Sequence, residues 1–460
     1  MFVFIIYLIF SPTLGKIKLG GPDAEPELNY WNWFAIALCA GIAIGIVFWG
    51  VAEPLMHFHQ PPEIAGVEGA SPGAAIEALS ISFLHWSLHP YALYAVIGLT
   101  VAFATYNLKL PFKISSVFYP LIGDKIHSFT GNLIDAIALF AIVGGVVTSL
   151  GLGTLQIAGG LDYIWGFPGG NLSYILIIIG VTFIYTMSSY TGLQRGIRFF
   201  SDNNAKLFFG LTIFLFIMGP SVFLLDLSIE SIGQYIANII PMSFWTDSFE
   251  TSGGWGGGWT IFYWAWWIAF APIVGMFLAR ISYGRTIREF LVVNVIAPAS
   301  FGIIWFTVFG GNAIYLDKYM GAGLIEQIGS YGEEISMYAL LENFPLAGIT
   351  LPIAVLMVAI SFVTLADSMT STMALMTAKN YSPDEESEAP APLKIFWGVL
   401  MGALTLLFLI IGGAEVVEAL QTASLVSALP IFVLQLLAIV AFLKVLYWGD
   451  YDFREDIPPK

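Results

Sequence analysis

Charged residues are scarce in this sequence. Only 11% of its 460 residues are Asp, Glu, Lys or Arg, whereas 58% are hydrophobic and 15% are aromatic. Soluble domains are not built with this composition, so we predict an all-α polytopic membrane protein. The net charge of −15 belongs to the loops and argues against nucleic acid as a partner, because nucleic-acid-binding proteins present basic patches.

Cysteine and histidine are also rare. The single cysteine, Cys39, lies in an apolar segment, which excludes a disulfide framework and a thiolate metal cluster. His85 and His89 have the i, i+4 spacing of a helical metal pair, but Pro90 follows at once and the five histidines of the chain leave few further ligands. We therefore predict no metal and no cofactor.

Long apolar runs make up most of the chain, and a membrane-spanning helix needs about 20 apolar residues. The first run, at residues 2–11, has no preceding positive charge of the kind found in a signal peptide, and we interpret it as the end of a helix whose beginning is missing. Full spans are predicted after it near residues 33–50, 78–105, 131–152, 172–190, 206–226, 259–283, 289–313, 346–378, 393–411 and 429–448.

The distribution of charge predicts how these spans are oriented, because lysine and arginine accumulate in cytoplasmic loops. If the loop after the first run is cytoplasmic, every one of the 17 lysines and arginines except Lys318 falls in a cytoplasmic segment. The outer segments instead carry Asp and Glu. One topology therefore accounts for nearly all the basic residues.

The full spans divide into two sets of five. An odd number of spans inserts the second set upside-down, and transporters with inverted repeats hold their substrate at mid-membrane between discontinuous helices. We predict these parts of the chain: 1–32, a remnant of a peripheral helix with a cytoplasmic loop; 33–226, the first repeat; 227–257, an outer amphipathic helix and loop; 258–448, the second repeat; and 449–460, a short cytoplasmic tail.

The first helix of the second repeat is rich in tryptophan. Tryptophans in a span usually form a belt at its ends, as Trp259 does, but Trp266 and Trp267 lie about two helical turns further along, toward mid-depth. On a helix, Tyr263, Trp267 and Phe270 share a face. This aromatic wall is suited to a cation that has no hydrogen to donate.

Two other segments are candidates for the same site. Ala40–Gly45 has small residues where an unwound backbone would expose N–H groups, although small residues also allow close helix packing. Trp86, Tyr91 and Tyr94 are either interfacial anchors or the other half of an aromatic cage. Each ring contributes roughly 0.5–2 kcal/mol to the binding of a desolvated quaternary ammonium group.

Ionisable residues inside spans are functional candidates by default. Asp367 is one of them, with a structural hydrogen-bond acceptor near the cytoplasmic end as the alternative. Glu53 and Asp135 lie near span ends and are interpreted as gate or packing residues. Lys206 starts a span and is expected to extend toward the cytoplasm.

The segment Gly258–Trp267, GWTIFYWAWW, resembles the signature of the betaine/choline/carnitine transporter family. The resemblance covers nearly the whole chain and includes Phe48–Pro54, His85–Tyr94, Ser149–Gly153 and Ala279–Ser282. It implies a twelve-helix secondary transporter with a five-plus-five inverted-repeat core of the leucine-transporter type, from which this chain lacks the first helix and most of the second.

The resemblance also implies a homotrimer in the plasma (inner) membrane, with Leu227–Ile240 as the amphipathic contact helix. The aromatic box of the family falls on Trp86, Tyr91, Tyr94 and Trp267, next to Trp266, and Phe270 replaces a further tryptophan of the inner pathway. The glycine stretch of the family falls on Gly41–Gly45. Ala43 stands there in place of a glycine, and the stretch has no acidic residue of the kind associated with choline selectivity, so a zwitterion is favoured.

The ion sites depart from the pattern of sodium-coupled relatives. Those relatives have adjacent Thr-Ser where this chain has Thr364 and Leu365, and two of their threonines align with Ile142 and Val146. Sodium is a hard cation that needs oxygen ligands. Backbone carbonyls near Ala40 and Ile42 remain, and Lys206 is the nearest candidate for the fixed positive charge of exchange-type relatives.

We predict a secondary active transporter, and not an enzyme, that lies in membrane lipid. It would move a small quaternary ammonium compound, such as glycine betaine, carnitine or a choline-like molecule, by alternating access. Coupling by a proton or by substrate exchange is favoured over strict sodium dependence. The alternatives are a sodium-coupled betaine symporter, an amino-acid carrier of the same fold, a channel, and a membrane metal hydrolase. The hydrolase would use His57, His59, His85 and His89, and it lacks a carboxylate-rich ligand set.

Overall fold

The computed structural model describes residues 1–191, 196–378, 389–449 and 451–458, and within these it leaves out the side chains at 40, 42, 43, 189–191, 196–198 and 414. Across these residues the chain is helical, and the only β pairing there is an isolated bridge between Lys18 and Thr286. The prediction of an all-α chain is confirmed.

The α-helices are α1 Phe2–Phe10, α2 Tyr30–His59, α3 Pro72–Trp86, α4 Leu88–Tyr106, α5 Tyr119–Ile122, α6 Phe129–Trp165, α7 Asn171–Thr191, α8 Gly196–Met218 and α9 Ser221–Phe244. The second half contains α10 Phe262–Arg280, α11 Ile287–Leu291, α12 Ala297–Tyr315, α13 Leu324–Tyr331, α14 Ser336–Glu342, α15 Ala347–Thr377, α16 Ala391–Gly412 and α17 Val416–Trp448. A π-helical turn, Gly257–Ile261, leads into α10.

Within the described residues, 8 helical segments are long and apolar enough to cross a membrane, or up to 10 if each of two bent pairs forms one span. One bent pair is Tyr30–Cys39 with Ile44–His59, at 63°, and the other is Phe199–Met218 with Ser221–Phe244, at 111°. Each predicted full span corresponds to one of these segments. The chain is therefore a multi-pass membrane protein.

Helices at equivalent positions in the two halves pack against equivalent helices of the other half. Helix α2 of the first half packs against α12, and its counterpart α10 packs against α4. Likewise α15 contacts α2, α7 and α8, whereas α6 contacts α10, α16 and α17. This is the packing expected when five helices are repeated in inverted orientation. It brings α2 and α10, the first helices of the two sets, to the centre of the bundle.

The second full span differs from its predicted bounds of 78–105. It begins earlier, at Pro72, where the Ser71 side chain caps α3 by accepting a hydrogen bond from the backbone N–H of Ala74. It is also broken, because Ser87 has φ −117° and ψ −119°, outside the helical region. Pro90 lacks the N–H that would continue the helical hydrogen bonding across this break.

The predicted span at 206–226 is too long at its outer end. The structure ends α8 at Met218, and α9 starts at Ser221 after Gly219 and Pro220, a pair that interrupts helices. Helix α9 contains the predicted amphipathic segment and extends it in both directions. The 111° angle to the preceding span agrees with a helix lying along the outer membrane surface.

Candidate functional site

A small cavity lies at the centre of the bundle, between helices of both halves. Its volume is about 20 Å³, close to that of one water molecule. Apolar and aromatic side chains form its wall together with glycine and one serine, and none of the described residues that line it is charged. The lining residues are Gly41, Ile44, Gly45, Trp86, Tyr94, Ser149, Trp266, Trp267, Phe270 and Leu365.

The aromatic rings at this cavity form one cluster centred on Trp267. The Trp267 ring centroid lies 5.5 Å from that of Trp86, 5.6 Å from Tyr91 and 4.9 Å from Tyr94. Trp86 also meets Trp266 edge-on, at 6.1 Å and 88°. All five side chains are buried. Rings from α3 and α4 therefore converge on rings from α10, and we call these residues the aromatic cluster.

Small residues on neighbouring helices allow these rings to lie where they do. A Cβ atom at Gly45 of α2 would lie 2.7 Å from the Trp86 ring and 3.1 Å from Trp266. A Cβ at Gly145 of α6 would lie 2.6 Å from the Phe270 ring. Both positions therefore need glycine for close approach of backbone and ring.

Three buried donors in the cluster have no hydrogen-bond partner among the described residues: the indole N–H groups of Trp266 and Trp267 and the hydroxyl of Tyr91. Leaving a buried polar group unpaired costs about 1–3 kcal/mol. A bound molecule that carries an acceptor oxygen would remove part of this penalty.

A buried hydrogen-bond network anchors one edge of the cluster. The Trp86 indole N–H and the Tyr263 hydroxyl donate to Glu53 Oε2 at 2.6 and 2.7 Å, and His85 Nδ1 lies 2.7 Å from Glu53 Oε1. His85 Nε2 lies 2.9 Å from the Thr260 hydroxyl. The carboxylate is fully buried, and three donors around it are what a charge in the membrane interior requires.

Comparison with known proteins identifies the family. A family model described as betaine/carnitine/choline family transporter matches residues 1–449. The chain belongs to this family. It is therefore a membrane transporter of the plasma membrane and not an enzyme.

Individual members of this transporter family are similar along nearly their whole length. A probable glycine betaine transporter of Desulfitobacterium hafniense (strain Y51) is 40% identical, over 97% of this chain and 87% of that protein. The glycine betaine transporter OpuD of Bacillus subtilis (strain 168) is 39% identical, over 96% and 84%. A solved Na⁺-coupled sialic acid symporter covers 99% of this chain and 91% of that one at 16% identity, with a TM-score of 0.49, too low to establish a shared fold.

The structure brings most of the predicted substrate-site residues of this transporter together. Gly41, Gly45, Trp86, Tyr94, Trp266, Trp267 and Phe270 line the cavity, and the Tyr91 ring contacts Trp267. Leu365, which was predicted as a coupling residue, also lines it. Ile44 and Ser149 also line it and were not predicted, although Ser149 begins one of the family motifs. The side chains of Ala40, Ile42 and Ala43 lie outside the described residues.

The predicted coupling residues lie in two different environments. The Thr364 hydroxyl donates to the carbonyl of Ile360 on its own helix, and Asp367 is buried and accepts a hydrogen bond from Ser188. Lys206, in contrast, is 62% exposed and pairs with Asp202, one turn before it. Lys206 is not among the described residues that line the cavity.

The sequence did not predict the network around Glu53, and the structure separates the two histidines that have the spacing of a helical metal pair. Glu53, interpreted as a gate or packing residue, is the centre of the network beside the cluster. His85 and His89 do not lie on one helix, because the break at Ser87 separates them, and His89 Nδ1 and Nε2 contact Tyr235 and Ser243 instead. The rule that an acidic residue within a span is a functional candidate would have identified Glu53.

Proposed function

We propose that this transporter carries a zwitterionic quaternary ammonium compound, glycine betaine foremost, by alternating access. The observation that carries the proposal is the uncharged aromatic cavity to which both halves of the bundle contribute, Trp86 and Tyr94 from one and Trp266 and Trp267 from the other. Two half-bundles that share one site can open it to either side in turn by rocking against each other.

A quaternary ammonium group suits this cavity better than a primary one. A primary ammonium group donates hydrogen bonds and, once buried, needs acceptors for them. The described part of the cavity wall has no carboxylate and offers ring faces instead, which attract a cation without accepting its hydrogens. This disfavours an amino-acid carrier. Four rings at roughly 0.5–2 kcal/mol each would provide useful affinity without a buried counter-charge.

A zwitterion is favoured over a simple cation such as choline. A net charge in an uncharged membrane cavity is unfavourable, whereas a zwitterion brings its own counter-charge. The unpaired indole N–H groups of Trp266 and Trp267 would serve as donors to its carboxylate, together with backbone near Gly41 and Gly45. Similar proteins named as glycine betaine transporters support this choice.

We also propose that transport does not strictly require sodium. Leu365 lines the cavity with an alkyl side chain, and Ile142 and Val146 are buried apolar residues where sodium-coupled relatives are expected to carry hydroxyl groups. A hard cation lacks side-chain oxygen ligands at these positions. A proton gradient or exchange against a second substrate molecule would then drive uptake.

The chain is further proposed to form a homotrimer through α9. This helix packs one face against α3 and α12 and exposes the apolar side chains of Ile229, Ile236 and Ile240 on the other. Apolar side chains exposed on one helix face can be buried against a neighbouring subunit. Mass determination of the purified protein in nanodiscs would test this, and a monomer would contradict it.

Uptake into proteoliposomes tests the proposed substrate. Labelled glycine betaine, carnitine, choline and proline would be compared, with sodium, proton and counter-substrate gradients imposed separately. We expect saturable uptake of glycine betaine above the other compounds. Preferred uptake of proline would favour an amino-acid carrier, and uptake that does not saturate and lacks counterflow would indicate a channel.

A further inference from the structure

A histidine next to the network lacks a hydrogen-bond partner among the residues that the structure describes. His57 lies on α2 one turn after Glu53 and is fully buried. Neither of its ring nitrogens has a hydrogen-bond partner among the described residues, and Nε2 lies 3.5 Å from Glu53 Oε1. A neutral imidazole in this position buries one N–H donor and one acceptor without satisfying either.

Two kinds of neighbour would stabilise a positive charge on the His57 ring against the cost of its full burial. The Glu53 carboxylate lies beside the imidazole of His57. Two indole rings also lie next to it: the ring centroid of Trp255 is 5.0 Å from that of His57, and the ring centroid of Trp259 is 4.5 Å from it. A cation beside a carboxylate and over indole rings is stabilised by both. Protonated His57 would thus turn an unsatisfied group into an ion pair.

We propose that Glu53, His57 and His85 form a proton-binding site whose occupancy is linked to the entry of substrate into the aromatic cluster. This inference rests on the proposed function, because it names the substrate as the linked ligand. One proton from the outer solution binds the free ring nitrogen of His57, and Glu53 stays a carboxylate. Only the N–H bond forms, and no oxidant or other reactant is needed.

Trp86 provides the link between this site and the substrate cavity. Its indole N–H is bound to Glu53, while its ring packs against Trp266 and Trp267 and closes the cavity to about 20 Å³. An imidazolium at His57 would pair with Oε1 of Glu53, whereas Trp86 donates to Oε2. A carboxylate whose charge is offset by a neighbouring cation is a weaker acceptor for the indole N–H. The bond that holds the Trp86 ring against the cavity weakens, and the ring can move aside for a substrate. Proton binding and substrate binding therefore favour each other.

A metal ion is the competing occupant of these three residues, whose ligand atoms lie within 4.8 Å of one another. Around a zinc ion, ligand atoms at about 2.0–2.2 Å from the metal stand roughly 3.3 Å apart. The 2.7 Å separation of His85 Nδ1 and Glu53 Oε1 is a hydrogen-bond distance instead. The geometry favours a proton.

Other ionisable groups surround the site on the neighbouring elements. Tyr263 of α10 donates a hydrogen bond to Glu53, and the ring centroids of His57 and His85 lie 6.1 Å apart. His89 follows the break at Ser87, at the start of α4. His59, two residues after His57 on α2, pairs with Asp317 at 2.6 Å and has no contact with Glu53 in the described structure. It is therefore a matched control for His57.

Calorimetry on the purified chain in nanodiscs measures the linkage directly. Glycine betaine is titrated at one pH near 6.5 in buffers of different ionisation enthalpy, and the dependence of the heat on the buffer gives the number of protons exchanged. We expect net uptake of up to about one proton per betaine, because His57 is neutral in the substrate-free network and gains its proton as betaine enters. His57→Gln and Glu53→Gln should remove this uptake, and His59→Gln should keep it.

The outcomes separate the two proposals. Betaine binding with no proton uptake, or with proton release, in the unmodified chain overturns the proton site and leaves the proposed function standing, whether or not the variants fold. Uptake that persists in His57→Gln also overturns it, as does stoichiometric zinc in the purified protein. Absence of betaine binding overturns the proposed function and the linkage with it.

Discussion

The indole N–H of Trp86 donates a 2.6 Å hydrogen bond to Glu53, while the ring of the same residue stands 5.5 Å from the ring of Trp267. One side chain thus belongs both to a buried polar network and to the aromatic wall of the substrate cavity. The carboxylate fixes the orientation of a ring that the apolar neighbours alone would hold less tightly.

Removing this hydrogen bond should lower stability. Trp86→Phe keeps an aromatic ring but leaves Glu53 buried with one donor fewer, and a hydrogen bond to a charged group is worth about 1.5–3 kcal/mol. We expect a clear fall in the melting temperature in detergent. Trp31→Phe is the matched control, because Trp31 donates to Asp202 at an exposed site. An equal fall in both variants would contradict the role of burial.

The close approach of α2 to the aromatic cluster predicts a difference between two glycines. Gly45→Ala would place a methyl group 2.7 Å from the Trp86 ring, so the ring must shift and betaine uptake should fall at least about tenfold, the effect of about 1.4 kcal/mol. Gly41→Ala meets only Tyr94, at 3.9 Å, and should retain most uptake. The reverse order of the two variants would show that the cluster is arranged differently.

Replacing external sodium by potassium should change betaine uptake by less than about twofold. The reason is that the side chains of Leu365, Ile142 and Val146 offer no oxygen ligand to a hard cation. The measurement is the initial rate in proteoliposomes with an imposed proton gradient. Dissipating that gradient with a protonophore is the control and should reduce the rate strongly. Strict dependence on sodium would contradict our interpretation of these positions.

An outer-loop carboxyl predicts how stability changes with pH. Glu334 lies outside the spans, and burial raises its pKa from 4.5 to about 7. The folded state therefore binds this proton more tightly than the unfolded state, so stability falls as pH rises from about 4.5 through 7. Glu334→Gln should melt at a higher temperature than the unmodified chain at pH 8 and at a similar temperature at pH 4.5. Glu326→Gln, at an exposed carboxyl, should show no such difference.

Sequence reasoning found the aromatic cluster but not the network beside it. Trp266 and Trp267 lie at mid-depth in their span, and that position alone separates them from interfacial tryptophans. Their partners Trp86, Tyr91 and Tyr94 are separated from them by more than 170 positions. The residue types left interfacial anchors and an aromatic cage as alternatives, and the family resemblance favoured the cage. The contacts of Glu53 with His85 and Tyr263 depend on how three helices pack, which no local pattern specifies.

The break at Ser87 shows a second limit of the sequence. The run from residue 78 to 105 is apolar on average and has no Asp, Glu, Lys or Arg, so its hydropathy predicts one uninterrupted helix. The interruption arises from a single residue outside the helical region, followed by Pro90 in the first turn of α4. It turns His85 toward Glu53 and His89 toward Tyr235, so their i, i+4 spacing loses its usual meaning.

The most direct test is whether the aromatic cluster binds positive charge. Glycine betaine and 3,3-dimethylbutanoate have nearly the same shape, but carbon replaces the charged nitrogen in the second. Titration calorimetry of the purified chain should show that betaine binds at least about 30-fold more tightly than 3,3-dimethylbutanoate, which corresponds to about 2 kcal/mol of cation–π attraction. Trp267→Ala should remove this preference. Trp448→Ala, at an exposed ring, should keep it. Equal affinity for the two compounds, or an unchanged preference in Trp267→Ala, would contradict the account.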